Sequence, residues 1–365
     1  MKRKLRQSVL GAACSFLLLS FGESQATEEK ARELLSKFRA ERDAWITQVQ
    51  ACESVEQMRA LEKLAPDPDI FGRNLLGQID GSWAQPWFLD YATPLIELAP
   101  AYAVTPLREG GALTPLSVIR EQAEKFHFTS PKIGPLALVL VRDTGPKTRV
   151  FLEKIESTHP DPAVQGQAAL ALAILSIERG QGGKTAAFHA QRFDWIRKAI
   201  TTDAFDMPMG ETTVGVVAQQ LLFFIENLEQ GTIAPDINNW NEDGKAMRLS
   251  DFRGEALMMV FWNENMPAVE ETLAFMKKVQ GQVAGRGGHI LGVAAEDAKR
   301  VRELRQEGTI TWSNWLDSKG KIAKLYQVRA YPACWVVDKT GKIIYRGVPG
   351  AFAELALEGQ LISEQ

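Results

Sequence analysis

The chain has 365 residues, of which 45% are apolar and 24% charged, and a formal net charge of −3 at neutral pH. That length exceeds what one hydrophobic core usually organises, so two domains are expected, and the composition excludes global disorder. The mild acidity leaves no electrostatic case for nucleic-acid binding.

In chain order, Lys2-Arg3-Lys4-Leu5-Arg6 forms a basic start and Val9 to Phe21 an apolar run. Ser24-Gln25-Ala26 then supplies the small residues that a signal peptidase reads, so residues 1–26 are expected to be a signal peptide cleaved after Ala26. A lipoprotein through Cys14 and a retained membrane anchor are the alternatives, although the apolar run falls short of the roughly 20 residues that span a bilayer. No later run is long and charge-free enough to cross, so no integral membrane span is expected after cleavage. Cleavage removes four basic residues and Glu23, which leaves 38 basic against 44 acidic residues, a net of −6. It also removes Cys14 and leaves Cys52 and Cys334. In an oxidising compartment these two can form one bridge, or they can be two separate buried thiols.

Residues 27–230 read as an all-helical domain. Leu34, Leu35, Phe38, Trp45 and Ile46 recur at helical spacing, and Ser54-Val55-Glu56-Gln57 has the form of a capping box. Ser130-Pro131, Gly145-Pro146 and Asp161-Pro162 each open a predicted helix, because proline suits the first helical turn. The spacing hints at stacked helical hairpins. Ala168 to Leu175 is apolar nearly all round and so is expected to be buried, and Glu211 to Glu229 reads as a last amphipathic helix. No strand is predicted before residue 232. His127, His159 and His189 are scattered without ligand spacing, so no metal and no cofactor is expected. Trp83, Trp87, Phe88 and Tyr91 read either as a peptide groove or as inter-helix packing.

Residues 231–365 change character. An extended segment over Thr232 to Ile237 leads through the turn pair Asp243-Gly244 to Leu249-Ser250-Asp251-Phe252-Arg253-Gly254 and then to the apolar strand Leu257 to Trp262. In this order and spacing the segment resembles the entry to the TlpA-like redoxin branch of the thioredoxin superfamily. A helix from Met266 to Val279, a strand from His289 to Ala294, a helix from Asp297 to Gln306, a strand from Ala333 to Val337, an edge strand from Lys342 to Tyr345 and a helix from Phe352 to Leu361 continue the pattern. The fold class is therefore an α/β thioredoxin-like domain preceded by an all-α helical domain.

The resemblance makes the strand-to-helix turn after Trp262 the place where a redoxin carries Cys-x-x-Cys, activated at a helix N-terminus. One alignment puts Met266-Pro267-Ala268-Val269 on that motif. Another treats Asn265-Met266-Pro267-Ala268 as the segment after it, with the motif deleted. Neither Met266 nor Val269 ionises, and Val260 stands where relatives place a buried acid or amide. Pro332 matches the family's cis-proline, whose loop pairs with an extended peptide. Tyr331, Pro332, Glu264, Asn265 and Trp312, with Asn263 and Trp315, are the candidate binding residues. Cys334 reads either as a monothiol facing the groove or as a buried packing residue. Two functions follow: a non-catalytic binding or scaffolding protein that holds a protein or peptide partner in the bacterial envelope, or a thiol-disulfide oxidoreductase acting through Cys334 or a Cys52-Cys334 pair.

Overall fold

The structure, a computed structural model, describes residues 28–52, 54–178 and 186–361. The expected signal peptide and Cys14 lie outside them. The chain divides into two compact units at Ala218/Gln219, inside a helix that the sequence-based boundary at residue 230 would have kept whole.

The first unit contains α1 (Glu28–Gln50), α2 (Val55–Glu62), α3 (Pro68–Ile79), α4 (Phe88–Leu98), α5 (Pro100–Val104), α6 (Pro115–Phe126), α7 (Ile133–Val139), α8 (Pro146–Thr158), α9 (Pro162–Glu178) and α10 (Ala186–Thr201). Side chains start several of them. Ser54 accepts from Gln57 N, Asp67 accepts from Asp69 N and Ile70 N, and Thr114 and Ser117 cap each other's backbone. Pro146 and Pro162 open helices as their position predicts, whereas Pro131 sits in a turn before α7. Helix α9 is the centre of this unit and packs against α7, α8 and α10. The aromatic cluster packs between elements, with Phe88 and Tyr91 buried and Phe88 stacked on His127 at 5.5 Å. One expectation fails: β1 (Pro208–Met209) and β2 (Thr212–Thr213) form a small antiparallel ladder, turned at Gly210 with φ 62°, before α11 (Val214–Asn227).

The second unit opens with the hairpin β3 (Asn238–Trp240) and β4 (Ala246–Arg248) and continues β5 (Ala256–Trp262), α12 (Val269–Val283), β6 (Gly288–Ala294), α13 (Ala298–Gln306), β7 (Asn314–Leu316), α14 (Lys321–Leu325), β8 (Ala333–Val337), β9 (Ile343–Gly347) and α15 (Ala351–Glu358). Its sheet has the order β7-β6-β5-β8-β9, with β5, β6 and β7 parallel and β8 and β9 antiparallel. Every residue of β5 is buried, as a central strand covered on both faces requires. Met258, Val260 and Trp262 face one core with Met276 and Val279 of α12. On the other face Phe261 meets Tyr326 and Trp335 in edge and tilted contacts at 5.1–5.6 Å.

Strand β7 was not anticipated. It is three residues long, and its place is fixed by a partner distant in sequence: the fully buried Glu242 of the hairpin accepts from Asn314 N at 2.9 Å and also pairs with Arg305. Trp315 Nε1 donates to Met247 O and Asn239 Nδ2 to Leu316 O, which seats the hairpin on this edge of the sheet. The opposite edge is covered in part by residues 231–234, which bond to Gly341 and Ile343.

Candidate functional site

The candidate site lies where β5 ends and α12 begins. Trp262 closes the strand and is pinned by its Nε1, which donates to Asn314 Oδ1 at 3.0 Å. Beyond it Asn263 Oδ1 accepts from Asn265 N at 2.9 Å and bends the chain, a turn that asparagine favours. Ala268 then takes a left-handed conformation, φ 53° and ψ 40°, and α12 starts without a side-chain cap. Glu270 and Glu271 in the first turn oppose the positive end of the helix dipole.

Polar groups brace the turn from outside. Glu264 N donates to Glu296 Oε1 at 2.6 Å, and the Glu264 carboxylate takes a fork of bonds from Arg300 Nε and Nη2 at 2.7–3.0 Å. Those bonds raise the Arg300 pKa above its ordinary value. Asn265 is left exposed at the tip. Across from the turn the Tyr331-Pro332 peptide is cis and leads into β8. The Tyr331 hydroxyl is held above its usual pKa, first by burial and then by the negative charges of Asp317 and Glu296. Glu296 is thus shared between the turn and the proline loop, and the structure brings Glu264, Asn265 and Tyr331 to one corner.

Other candidate positions fall elsewhere. Met266 is buried in the core below the turn, and Val269 packs against the same cluster. Trp312 was expected on the rim but is 1% exposed, inside the core with Ile310 and Trp262, and so offers no surface to a partner. Trp315, expected beside it, lies buried under the β3–β4 hairpin, where its Nε1 donates to Met247 O. Cys334 is fully buried, opposite Val260 of β5 and Gly347 of β9, and burial alone pushes its thiol pKa far up. A monothiol facing the groove is therefore not what this strand presents. Cys52 is a second free thiol, whose Sγ donates to Gln48 O at 3.5 Å. Among the described residues no group of three or more His, Cys, Asp or Glu side chains is placed to hold a metal.

Sequence reasoning missed Glu296, Arg300 and Asn314. Glu296 had a legible signal, since it follows the carboxyl end of a parallel strand, where open α/β sheets place binding groups. Asn314 had none, because its role depends on Trp262 and Glu242 being brought to it.

The strand order, the cis-proline loop and the corner between β5 and α12 define the class: the second unit is a thioredoxin-like redoxin domain. In keeping with this, residues 230–346 match the AhpC/TSA family. Among curated relatives, the thiol-disulfide oxidoreductase ResA of Bacillus thuringiensis subsp. konkukian is 26% identical over 120 residues, covering 33% of this chain and 69% of the relative. ResA of Geobacillus thermodenitrificans is 26% identical over 124 residues, covering 33% and 71%. Among solved structures, the thioredoxin domain of a thiol-disulfide oxidoreductase from Bacteroides vulgatus aligns at 20% identity with a TM-score of 0.34, covering 37% of this chain and 100% of that one.

Proposed function

We propose that this chain is an exported thioredoxin-fold protein that binds a protein partner in the bacterial cell envelope without dithiol chemistry. The observation that carries the reading is the filling of the corner: Met266 occupies the space below the turn as a core residue, and neither it nor Val269 can ionise or form a disulfide. The strand, helix and Tyr331-Pro332 loop around the corner are kept. That combination fits a surface retained for binding, since added-strand hydrogen bonds to a partner need no thiol. Export rests on the basic start and apolar run within residues 2–21. Among the described residues no helix is long and apolar enough to cross a membrane.

The relatives' names favour a second reading, a thiol-disulfide oxidoreductase working through Cys334 or a Cys52-Cys334 pair. The burial of Cys334 counts against it, because a thiolate is the attacking species in disulfide exchange. Two measurements separate the readings. A photo-crosslinking residue at the exposed Asn265 should give a discrete protein adduct in native cells, and the full chain should show no turnover in an insulin-reduction assay. Turnover that disappears in Cys334→Ser, with no adduct at Asn265, would establish the oxidoreductase in place of the binder.

A further inference from the structure

Helix α15 covers part of one face of the redoxin sheet and buries Ala353 and Leu357. At about 100° of turn per residue, the direction opposite those two is taken by Phe352, Leu355 and Gly359. A helix on a globular domain normally turns polar side chains outward, as α12 does with Glu270, Glu271, Lys277 and Lys278. On α15 the outward stripe is apolar: Phe352 is 77% exposed, Leu355 63%, and Val348 just before the helix 65%. The acidic residues stand to one side. Glu354 pairs with Lys278 of α12 at 2.8 Å, and Glu358 follows one turn on along the same flank. Gly359 leaves a gap in the stripe, because a Cβ added there would meet only the backbone of its own helix, at Leu355 O and Ala356 O.

The stripe is its own complement. If a second copy of α15 lies antiparallel about a twofold axis between residues 355 and 356, Phe352 falls over the partner's Gly359 and Leu355 over the partner's Ala356, and symmetry supplies the reverse contacts. Each large side chain thus meets a small one, and all four positions lie within about 100° of arc on the helix. No charged residue of the stripe faces its own copy, a juxtaposition that would repel across a twofold. An unrelated surface would have to bring the same alternation of large and small residues, whereas a second copy carries it of necessity. We propose that α15 is the contact face of a homodimer in which two copies of the helix pack antiparallel, with Phe352 seated over the partner's Gly359. The three exposed side chains offer on the order of 400 Å² a side, about 800 Å² in total, which is below the roughly 1,200 Å² of a stable complex. The dimer is therefore weak and depends on concentration. It is independent of the corner between β5 and α12.

Sedimentation equilibrium of the full chain over about 10 μM to 1 mM should show reversible association to two chains. Leu355→Glu sets like charges beside the axis and Gly359→Leu fills the seat of Phe352, so each should weaken association by about tenfold or more. Both positions face solvent, and the variants should keep the circular dichroism of the parent. Leu355→Lys alone should also stay a single chain, while mixing it with Leu355→Glu should restore a dimer that holds one copy of each. A chain that remains single up to about 1 mM overturns the proposal. So does a dimer unchanged by either Leu355→Glu or Gly359→Leu, or a Glu and Lys mixture that fails to associate. A photo-crosslinking residue at Phe352 that captures a different protein in native cells, and no second copy, overturns it as well.

Discussion

At the scale of single residues, Cys334 decides most. Its thiol lies in the apolar core that also holds Val260, its cross-strand partner, and Val336, and it is held protonated by burial. In the native protein it should therefore stay inert to a thiol reagent at neutral pH and react only on unfolding, as a stopped-flow comparison with and without denaturant would show. The same burial gives a pH dependence. The folded pKa lies above the unfolded value near 8.5, so the native state is unpenalised below that value and loses stability as pH rises beyond it. The slope is about 1.4 kcal/mol per pH unit for one group. Tyr326, also raised by burial, adds a decline of the same sign above about pH 10. Urea titrations should show both declines, with Cys334→Ala removing the first. Cys334→Ser should cost about 2 kcal/mol, because it leaves a buried hydroxyl in apolar surroundings.

Whole elements show what pattern alone conveys. Strands β5 and β8 were legible because a central strand buried on both faces reads as an unbroken apolar run. Helices α8 and α9 were legible because proline marks their first turn. Strand β7 was not, since Asn314-Trp315-Leu316 is short and half polar, and what holds it is a carboxylate 72 residues earlier. Trp312 was misplaced for a related reason: an aromatic near a turn has no sequence mark saying which side of the sheet it takes. The corner itself was recognised from the elements around it, while its bracing by Glu296 and Arg300 emerged only from the fold. Two substitutions test how far the β7 edge depends on these polar links. A methyl group added at Gly292 would collide with Asn314 Oδ1 and crowd Trp262 Nε1. Gly292→Ala should thus cost about 2 kcal/mol in chemical denaturation, with the Trp262–Asn314 bond lost. Glu242→Ala should cost about 2 kcal/mol as well, mainly by leaving the buried Asn314 N–H without an acceptor, since Arg305 is 38% exposed and can return to water.

At the scale of the molecule, each unit has its own buried apolar interior: one around α9, the other around β5 and α12. Residues 219–365 produced as a fragment should therefore fold without the rest and give a single cooperative thermal transition, measured by circular dichroism. A non-cooperative melt would show that the redoxin domain depends on the helical unit. The tryptophans supply a built-in optical reporter for this experiment. Trp262, Trp312, Trp315 and Trp335 are all at most 4% exposed, and Trp240 alone of the domain's five indoles stands in solvent, at 59%. Native emission from the fragment should accordingly be short in wavelength with a minor red component that iodide quenches, and opening of the sheet should convert the blue signal to red.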